Sequence, residues 1–216
     1  MALQHDIASI RKNYSRQALS EESVSQDPLD QFKVWLNEAI LSEVLEPTAL
    51  VLSTVSADGH PSARVVLLKE VSSDGFVFFT NYDSRKGHQL AERPLGAMTF
   101  FWAELERQVR VEGAIEKVSA EVSDAYFHSR PRGSQIGAWA SPQSQEIQSR
   151  QELEQAEAKY EQDFAALDVV PRPQHWGGYV LKPERIEFWQ GRPNRLHDRI
   201  VFERADSQWT RKRLAP

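Results

Sequence analysis

The sequence predicts a mainly β protein with flanking helices (α+β), in which short antiparallel strands form a small barrel. Five segments rich in Val, Phe and Thr follow one another with short connections, over residues 49–55, 62–71, 76–82, 95–103 and 108–118. Asp-Gly pairs after the first and second of these segments are typical of tight hairpin turns. Because closure removes exposed sheet edges, a barrel is favoured over an open sheet.

The composition limits both the architecture and the kind of function. A chain of 216 residues, 40% of them hydrophobic, is long enough for one well-filled domain, which we expect over residues 25–216 behind an N-terminal arm of residues 1–24. The absence of Cys excludes disulfides and thiolate metal sites, and we expect no metal. A net charge of -5 argues against broad nucleic-acid binding. Without a long apolar run or the apolar core of a signal peptide, the sequence predicts a soluble, cytoplasmic protein with no membrane partner.

Two helical patterns precede the strands. Residues 5–19 carry a short amphipathic pattern that fits either a helix or a mobile arm. Asp27 suits a helix N-cap and Pro28 suits the first turn, so a second helix is predicted to begin there and to run to about Leu45.

Three further segments follow the predicted strands. A helix is predicted over residues 119–129, a long and therefore functional loop over 131–144, and a polar helix over 145–166. The core-facing residues of the first of these helices are predicted to be Val122, Ala125 and Tyr126.

Basic residues in the strand region form a candidate anion site. Arg64 and Lys69 fall within one predicted strand, and their spacing places them on opposite faces unless a bulge intervenes. Ser84 suits the N-cap of a short helix that begins with Arg85 and Lys86. Free amides at a helix N-terminus beside two cations favour phosphate, although many basic helix ends are merely solvated.

The C-terminal region predicts a hairpin with a basic face. Residues 179–189 have the character of a strand, residues 191–194 are typical of a turn, and residues 195–202 fit the return strand. Alternation along that strand would place three side chains on one face, where a negatively charged aromatic ligand would relieve their repulsion. From spacing alone, a hairpin with a solvated polar face is equally compatible. The three side chains are Arg195, His197 and Arg199.

The same region carries a family resemblance. Glu187-Phe188-Trp189 is followed, after a short spacer, by Arg195-Leu196-His197-Asp198-Arg199. This pattern resembles the C-terminal signature of the pyridoxamine 5'-phosphate oxidase family, and the similarity extends from about Tyr14 to the C-terminal residues. The resemblance implies the FMN-binding split β-barrel fold and a homodimer with FMN at the subunit interface. Segments 64–69, 84–86, 106–108, 126–132 and 134–139 also resemble the family.

The resemblance also implies which residues bind FMN. Arginine, lysine and serine side chains would hold its phosphate, while Gln108, Trp189 and Arg199 would meet its ring. Many relatives have Tyr where Phe79 stands, so the contact there would come from the backbone. The implied set is Arg64, Val65, Val66, Leu67, Leu68, Lys69, Phe79, Thr80, Arg85, Lys86, Gln108, Gln143, Ser144, Trp189 and Arg199.

The resemblance implies a substrate site as well. The 5'-phosphate of pyridoxamine or pyridoxine 5'-phosphate would lie against Lys69, Tyr126, Arg130 and Ser134, and the pyridine ring beside Arg195, Leu196 and His197. An N-terminal segment that includes Arg11 and Tyr14 would cover the site. Arg195 and His197 would serve catalysis, with dioxygen as acceptor and hydrogen peroxide as product.

Two other functions keep part of this pattern. A split-barrel flavin reductase that uses a nicotinamide would need the FMN residues but not the substrate set. A non-catalytic carrier of pyridoxal phosphate would need the phosphate cradle without the flavin set. A nucleic-acid binder is disfavoured by the net charge.

Overall fold

The chain divides into two compact units. The computed structural model describes residues 12–206 and 208–216. Unit 1 contains the described residues up to Pro47 together with Thr99–Val111 and Arg185–Pro216, and unit 2 contains Thr48–Met98 and Glu112–Glu184. The expectation of one domain over residues 25–216 stays a prediction.

The protein is mainly β with flanking helices, which confirms the predicted fold class. No helix in the described ranges is both long enough and apolar enough to span a membrane. The elements are α1 Pro28–Leu41, β1 Ala49–Val55, β2 Pro61–Leu67, β3 Glu70–Ser72, β4 Gly75–Asn81, α2 Arg85–Glu92, β5 Leu95–Trp102, β6 Arg107–Lys117, α3 Ala120–Ser129, α4 Arg132–Ala140, α5 Arg150–Asp163, β7 Trp176–Gln190, a 3-10 turn Pro193–Arg195, β8 Asp198–Ala205 and β9 Gln208–Leu214.

The two end strands of the sheet are consecutive in the chain. The strand order is β2-β1-β5-β6-β7-β4-β3, and β2 is connected to β3 by Leu68 and Lys69. At this connection the amide of Leu68 donates to the carbonyl of Thr48 at 2.9 Å, and the next amide donates to Val77, on β4, at 2.9 Å. The predicted continuous strand over 62–71 is therefore wrong, since the backbone changes its pairing partner at Lys69.

Each unit buries its own aromatic residues. In unit 2, Phe76 and Phe78 of β4 are completely buried, as is Leu52 of β1, whose neighbours along the strand alternate in exposure. In unit 1, the ring of Phe32 on α1 packs 4.8 Å from Phe100. The helical and strand periodicities of the sequence thus mark the faces that form the core.

Helix α1 is shorter than predicted. Its N-cap is Asp27, as expected, but it ends at Leu41 rather than near Leu45. Glu43 adopts a left-handed conformation with φ 54°, and the amides of Glu43 and Val44 donate to the carbonyls of Ile40 and Ala39. These two bonds form a Schellman motif, which ends the helix although no glycine is present.

The region after β6 contains three further departures from the predictions. Val122 and Ala125 are exposed, because α3 buries Ser123 and Phe127 instead. The predicted loop over 131–144 contains helix α4, whose residue Ile136 is completely buried. The polar helix α5 covers only Arg150–Asp163 of the predicted 145–166.

The C-terminal hairpin turns differently from the prediction. Asn194 and Arg195 both have left-handed backbones, with φ 57° and 61°, and β8 begins only at Asp198. Arg195 and His197 therefore precede the strand, and the predicted alternation that placed them on one strand face with Arg199 is wrong. Arg199 is a strand residue and lies opposite Trp189 of β7.

Candidate functional site

A cavity of about 460 Å³ in unit 2 is lined by four of the basic residues singled out in the sequence, Arg64, Lys69, Lys86 and Arg130. It is enclosed by the end of β2, the end of β4, helices α2 and α3, and the segment after α4. The side chains around it are cationic, hydroxyl-bearing, amide and aromatic, which is the composition expected for a phosphorylated ring. The lining residues are Arg64, Val65, Val66, Leu67, Lys69, Phe79, Thr80, Asn81, Lys86, Tyr126, Arg130, Gln143 and Trp176.

The interruption after β2 explains how Arg64 and Lys69 reach the same cavity. On an uninterrupted strand their spacing would direct them to opposite faces. The change of backbone partner at Leu68 and Lys69 breaks the alternation, so that both cations line the cavity while Leu68 is buried in the core. From the sequence, a bulge was named as the one way for both side chains to reach the same face, but an interruption of the strand was not predicted.

Lys86 is held at the start of α2 by neutral partners. The hydroxyl of Ser84 caps the helix by accepting from the amide of Gly87. The ammonium of Lys86 donates to Thr80 Oγ1 at 2.9 Å, Ser84 Oγ at 3.2 Å and Gln143 Oε1 at 2.9 Å. Burial, with a smaller contribution from the charge of Arg64, lowers the pKa of Lys86 to about 8. The ammonium is therefore destabilised until an anion arrives.

Arg64 is oriented by hydroxyl and carbonyl groups. Its Nη1 donates to Thr54 Oγ1 at 2.6 Å and to the carbonyl of Leu52 at 3.1 Å, and its Nη2 donates to Ser62 Oγ at 2.6 Å. Both hydroxyl groups donate onward to Gln89 Oε1. Burial and the neighbouring Arg85 lower the pKa of Arg64. Sequence reasoning missed these supporting residues, although their polar side chains on buried elements were a usable signal.

Arg130 carries an unsatisfied donor. Its Nη1 is buried and has no hydrogen-bond partner within the described chain. The guanidinium lies over the ring of Trp176 at 4.6 Å, and burial lowers its pKa. Beside it, the rings of Tyr126 and Phe79 stack at 3.9 Å. A buried donor without a partner is costly, so this atom indicates a missing acceptor such as a phosphate oxygen.

Unit 1 contains a second cavity, of about 570 Å³, which includes the predicted catalytic pair. The ring of His197 lies 4.6 Å from Trp189, and Tyr14 meets both rings edge-on. His197 Nδ1 accepts from the amide of Arg192 at 3.0 Å, so the neutral ring carries its proton on Nε2. Burial and the charge of Arg195 lower the pKa of His197. The lining residues are Lys12, Asn13, Tyr14, Arg192, Asn194, Arg195 and His197.

Comparison with protein families supplies the decisive observation. Residues 36–164 match the model described as pyridoxamine 5'-phosphate oxidase, and residues 176–216 match the pyridoxine 5'-phosphate oxidase C-terminal dimerisation region. The chain belongs to the pyridoxamine 5'-phosphate oxidase family. This confirms the resemblance and assigns the chain to a family of oxidoreductases with the split-barrel fold.

Individual relatives agree with the family assignment. Pyridoxine/pyridoxamine 5'-phosphate oxidase of a Cyanothece species is 56% identical over 210 residues, which cover 97% of this chain and 98% of that protein. The Pseudomonas paraeruginosa protein of the same name is 55% identical, with the same coverage of both chains.

Two solved structures share the fold. PhzG from Burkholderia lata, crystallised with tetrahydrophenazine-1-carboxylic acid, has a TM-score of 0.87 at 30% identity and covers 94% of this chain and all of its own. A pyridoxamine 5'-phosphate oxidase-related, FMN binding protein from Nostoc punctiforme has a TM-score of 0.70 at 17% identity, with coverage of 89% of this chain and 100% of its own, and supports the fold alone.

Some residues that the oxidase family resemblance assigns lie outside the unit 2 cavity. Arg85 and Ser144 line a different cavity of unit 2, of about 560 Å³, and Ser144 has φ 71°. Ser134 is exposed on the first turn of α4, and Leu68 is a core residue. The structure thus gathers most of the predicted phosphate residues in one cavity, but not Arg85, Ser134 and Ser144.

The ring-binding assignments fall in unit 1. Gln108 is half-buried on β6. Arg199 donates to both carboxylate oxygens of Glu187, at 2.8 and 3.1 Å, and this pairing raises its pKa. Leu196 is largely exposed, and Arg11 lies outside the described residues. Their proposed contacts with ligand stay predictions.

Proposed function

We propose that this chain is an FMN-dependent oxidase that converts pyridoxamine 5'-phosphate and pyridoxine 5'-phosphate to pyridoxal 5'-phosphate. The observation that carries the proposal is the unit 2 cavity with its three buried or half-buried cations, Arg64, Lys86 and Arg130. None of them forms an ion pair with a carboxylate in the described ranges. The names of the relatives indicate the substrate class, and the cations of the cavity explain physically why the substrate would be phosphorylated.

The residues present fit FMN. Arg64 and Lys86 in the unit 2 cavity provide positive charge for a dianionic phosphate, and the hydrogen-bond partners of Lys86 are all neutral. The family resemblance adds Arg85 and Ser144, which line a different cavity of the same unit. Trp189 and Gln108 offer a ring face and an amide for the flavin. Bound FMN supplies the hydride acceptor, with dioxygen as the proposed final acceptor and hydrogen peroxide as the product.

The chain's own side chains would hold the substrate. We assign its 5'-phosphate to Lys69, Tyr126, Arg130 and Ser134, because the unpaired Nη1 of Arg130 needs an acceptor. Arg195 would hold the ring in register. In a homodimer with FMN at the subunit interface, both subunits would contribute residues to each site.

His197 would act beside the substrate ring through its hydrogen bonds. Since its pKa is lowered, the imidazole is mostly neutral at pH 7. With Nδ1 engaged by the amide of Arg192, its Nε2 proton is available to a substrate oxygen or nitrogen. Pre-positioning of this donor would favour the reactive orientation of the C4' group.

The flavin and the substrate class are tested with the purified protein. We expect a yellow protein that releases peroxide when given pyridoxine or pyridoxamine 5'-phosphate. A colourless protein that FMN cannot reconstitute would refute the proposal. Turnover of a nicotinamide, without oxidation of either phosphate ester, would favour a flavin reductase instead.

The residue assignment is tested by Arg195→Leu. Loss of a charged contact to the substrate should lower kcat/KM by about 10- to 100-fold while FMN stays bound. The matched control is Arg204→Leu, since Arg204 is an exposed strand residue beside Trp209 and is not among the lining residues of either cavity. An unchanged kcat/KM for the Arg195 variant would remove this residue from the site.

A further inference from the structure

The unit 1 cavity has two walls that come from distant parts of the chain. One wall is the segment 12–14, and the other is the turn between β7 and β8, which includes Arg195 and His197. Neither wall is a regular helix or strand, so neither is stabilised by a regular pattern of backbone hydrogen bonds of its own. Contacts with other residues must therefore fix the distance between the two walls.

Glu106 contacts both walls. Its side-chain Oε2 accepts from the amides of Ser15 at 2.9 Å and Arg16 at 3.0 Å, directly after the first wall. Its backbone carbonyl accepts from the amide of Gly191 at 2.7 Å and from Gln190 Nε2 at 3.2 Å, at the start of the second wall. Charge-assisted bonds from a carboxylate to backbone amides are among the stronger protein hydrogen bonds.

The backbone of Glu106 is shaped for this double contact. The residue is 5% exposed and has φ 56°, a left-handed conformation that is uncommon for a glutamate. Strain of this kind persists where the surrounding contacts determine it. Left-handed geometry at this position points the carbonyl at Gly191 while the side chain reaches the amides of the N-terminal segment.

Two neighbouring contacts support the same connection. Arg107 donates from Nε to Gln190 Oε1 at 3.0 Å and from Nη2 to Gln17 Oε1, and therefore also joins the two walls. Tyr14 packs so closely on Gly191 that a β-carbon at Gly191 would lie 2.8 Å from the Tyr14 Cβ and Cγ atoms. The two walls are thus in direct contact as well as connected through Glu106.

We propose that Glu106 is a positioning residue for the substrate pocket: its carboxylate fixes Tyr14 and its neighbours, and its carbonyl fixes the turn that carries Arg195 and His197. Glu106 does not itself line the pocket, so its effect on a substrate is indirect. The kinetic part of this inference rests on the proposed function, whereas its structural part does not.

The structural part is tested by tryptic cleavage after Arg16 in the full-length holoenzyme. In Glu106→Ala two charge-assisted bonds are lost, so cleavage after Arg16 should accelerate by about tenfold or more relative to cleavage after Lys159 on the exposed helix α5. Glu106→Gln keeps an oxygen acceptor of the same reach and should restore most of the protection. An unchanged ratio in Glu106→Ala, or equal acceleration at both sites, would overturn the proposal.

Two further variants separate positioning from a general loss of stability. Glu104→Ala removes an exposed carboxylate two residues away and leaves the carbonyl that Arg16 contacts, so its cleavage ratio should match that of the wild type. Gly191→Ala places a methyl group against Tyr14 from the opposite wall, and should accelerate cleavage after Arg16 while the Glu106 carboxylate is kept. A Gly191 variant with wild-type protection would show that the walls are independent.

The kinetic part predicts a selective effect on KM. If the N-terminal wall is in place only about a tenth of the time in Glu106→Ala, KM for pyridoxine 5'-phosphate should rise about tenfold with FMN still bound. Glu106→Gln should recover most of that rise. If the wild type oxidises the substrate and Glu106→Ala keeps its KM, the inference fails. If the wild type does not oxidise it, the proposed function fails, and the cleavage ratio still decides the structural part.

Discussion

Arginine and lysine residues have different surroundings in the two units. Around the unit 2 cavity, Lys86 and Arg64 donate to hydroxyl, amide and carbonyl oxygens, and Arg130 leaves one nitrogen unpaired. In unit 1, Arg199 and Arg213 each form a two-point contact with a carboxylate. Burial lowers the pKa of the first three residues, whereas ion pairing raises the pKa of the other two.

This difference separates ligand-binding cations from structural ones. A guanidinium that already has a carboxylate partner gains little from an added anion, whereas a partly buried cation with only neutral partners gains a counter-ion. By this criterion, Arg64, Lys86 and Arg130 are poised for phosphate, and Arg213 has a structural role. Arg195 belongs to neither group, because it is exposed, and its assignment to the substrate ring rests on the family resemblance.

The largest expected effect is a loss of folding stability when the carboxylate of Glu187, which pairs with structural arginines, is removed. Glu187 is 2% exposed and faces Arg199 at 2.8 Å, Arg185 at 3.5 Å and Arg110 at 3.7 Å. Glu187→Gln keeps the shape but leaves these cations without their shared charge, so the free energy of unfolding should fall by about 3 kcal/mol. Urea denaturation at matched protein concentration measures the change.

The control for that experiment is Glu154→Gln. Glu154 pairs with Arg150 at 2.9 Å on the solvent-exposed helix α5, where ion pairs contribute little to stability. Equal losses in the two variants would show that burial does not distinguish structural pairs here.

A smaller effect is expected at Lys86, and it concerns binding rather than folding. Lys86→Met removes a charged donor from the proposed FMN phosphate, so the dissociation constant for FMN should rise by about 10- to 100-fold. Flavin fluorescence during titration of the apoprotein measures it. Lys117→Met, which alters an exposed lysine over the ring of Tyr82, is the matched control and should bind as the wild type does. Equal weakening in both variants would contradict a specific role for Lys86.

The smallest expected effect is a dependence of FMN affinity on pH, which follows from the titration of Lys86. The pKa of Lys86 is lowered from 10.5 to about 8, so the free protein loses this charge as the pH rises through 8. If bound phosphate retains the proton, FMN affinity should fall by at most about tenfold per pH unit above 8. The profile of Lys86→Met should be flat over this range. Parallel profiles for the two proteins would assign the dependence to another group.

The sign of the stability change is also determined. Between about pH 8 and 10.5, Lys86 is protonated in the unfolded chain and mostly neutral in the folded apoprotein. The unfolded state therefore binds more protons, and this group makes the apoprotein more stable as the pH rises through that window. The comparison of wild type with Lys86→Met isolates the contribution from other titrating lysines.

Elements with local signals could be predicted from the sequence. Asp27 and Ser84 were correctly identified as helix caps, because capping needs only a short side chain beside nearby amides. Strand β1 was predicted with its observed bounds, since alternation and the following Asp-Gly turn are both local. Of the basic residues in the unit 2 cavity, Arg64, Lys69 and Lys86 were noted from their positions in the sequence, and Arg130 was assigned through family resemblance. Their proximity in the structure is consistent with these assignments.

Features that depend on distant partners could not be predicted. The break at Lys69 depends on Val77, and helix α4 depends on the buried surroundings of Ile136. The left-handed residues Asn194 and Arg195 move His197 off the predicted strand, and no periodic pattern encodes such a turn. Glu106 was noted only as part of a family-like segment, because its contacts with the N-terminal segment span about 90 positions of sequence.

The change of pairing partner at Lys69 links the shape of the sheet to the phosphate cavity. One short stretch of backbone both bends the end strands towards each other and turns a lysine inward to join Arg64. Deleting one residue there would misalign the barrel and withdraw the charge in a single event. A homologue that no longer binds phosphate could therefore carry another side chain at position 69. It would still need a connection of two residues between β2 and β3 to keep the same strand pairing.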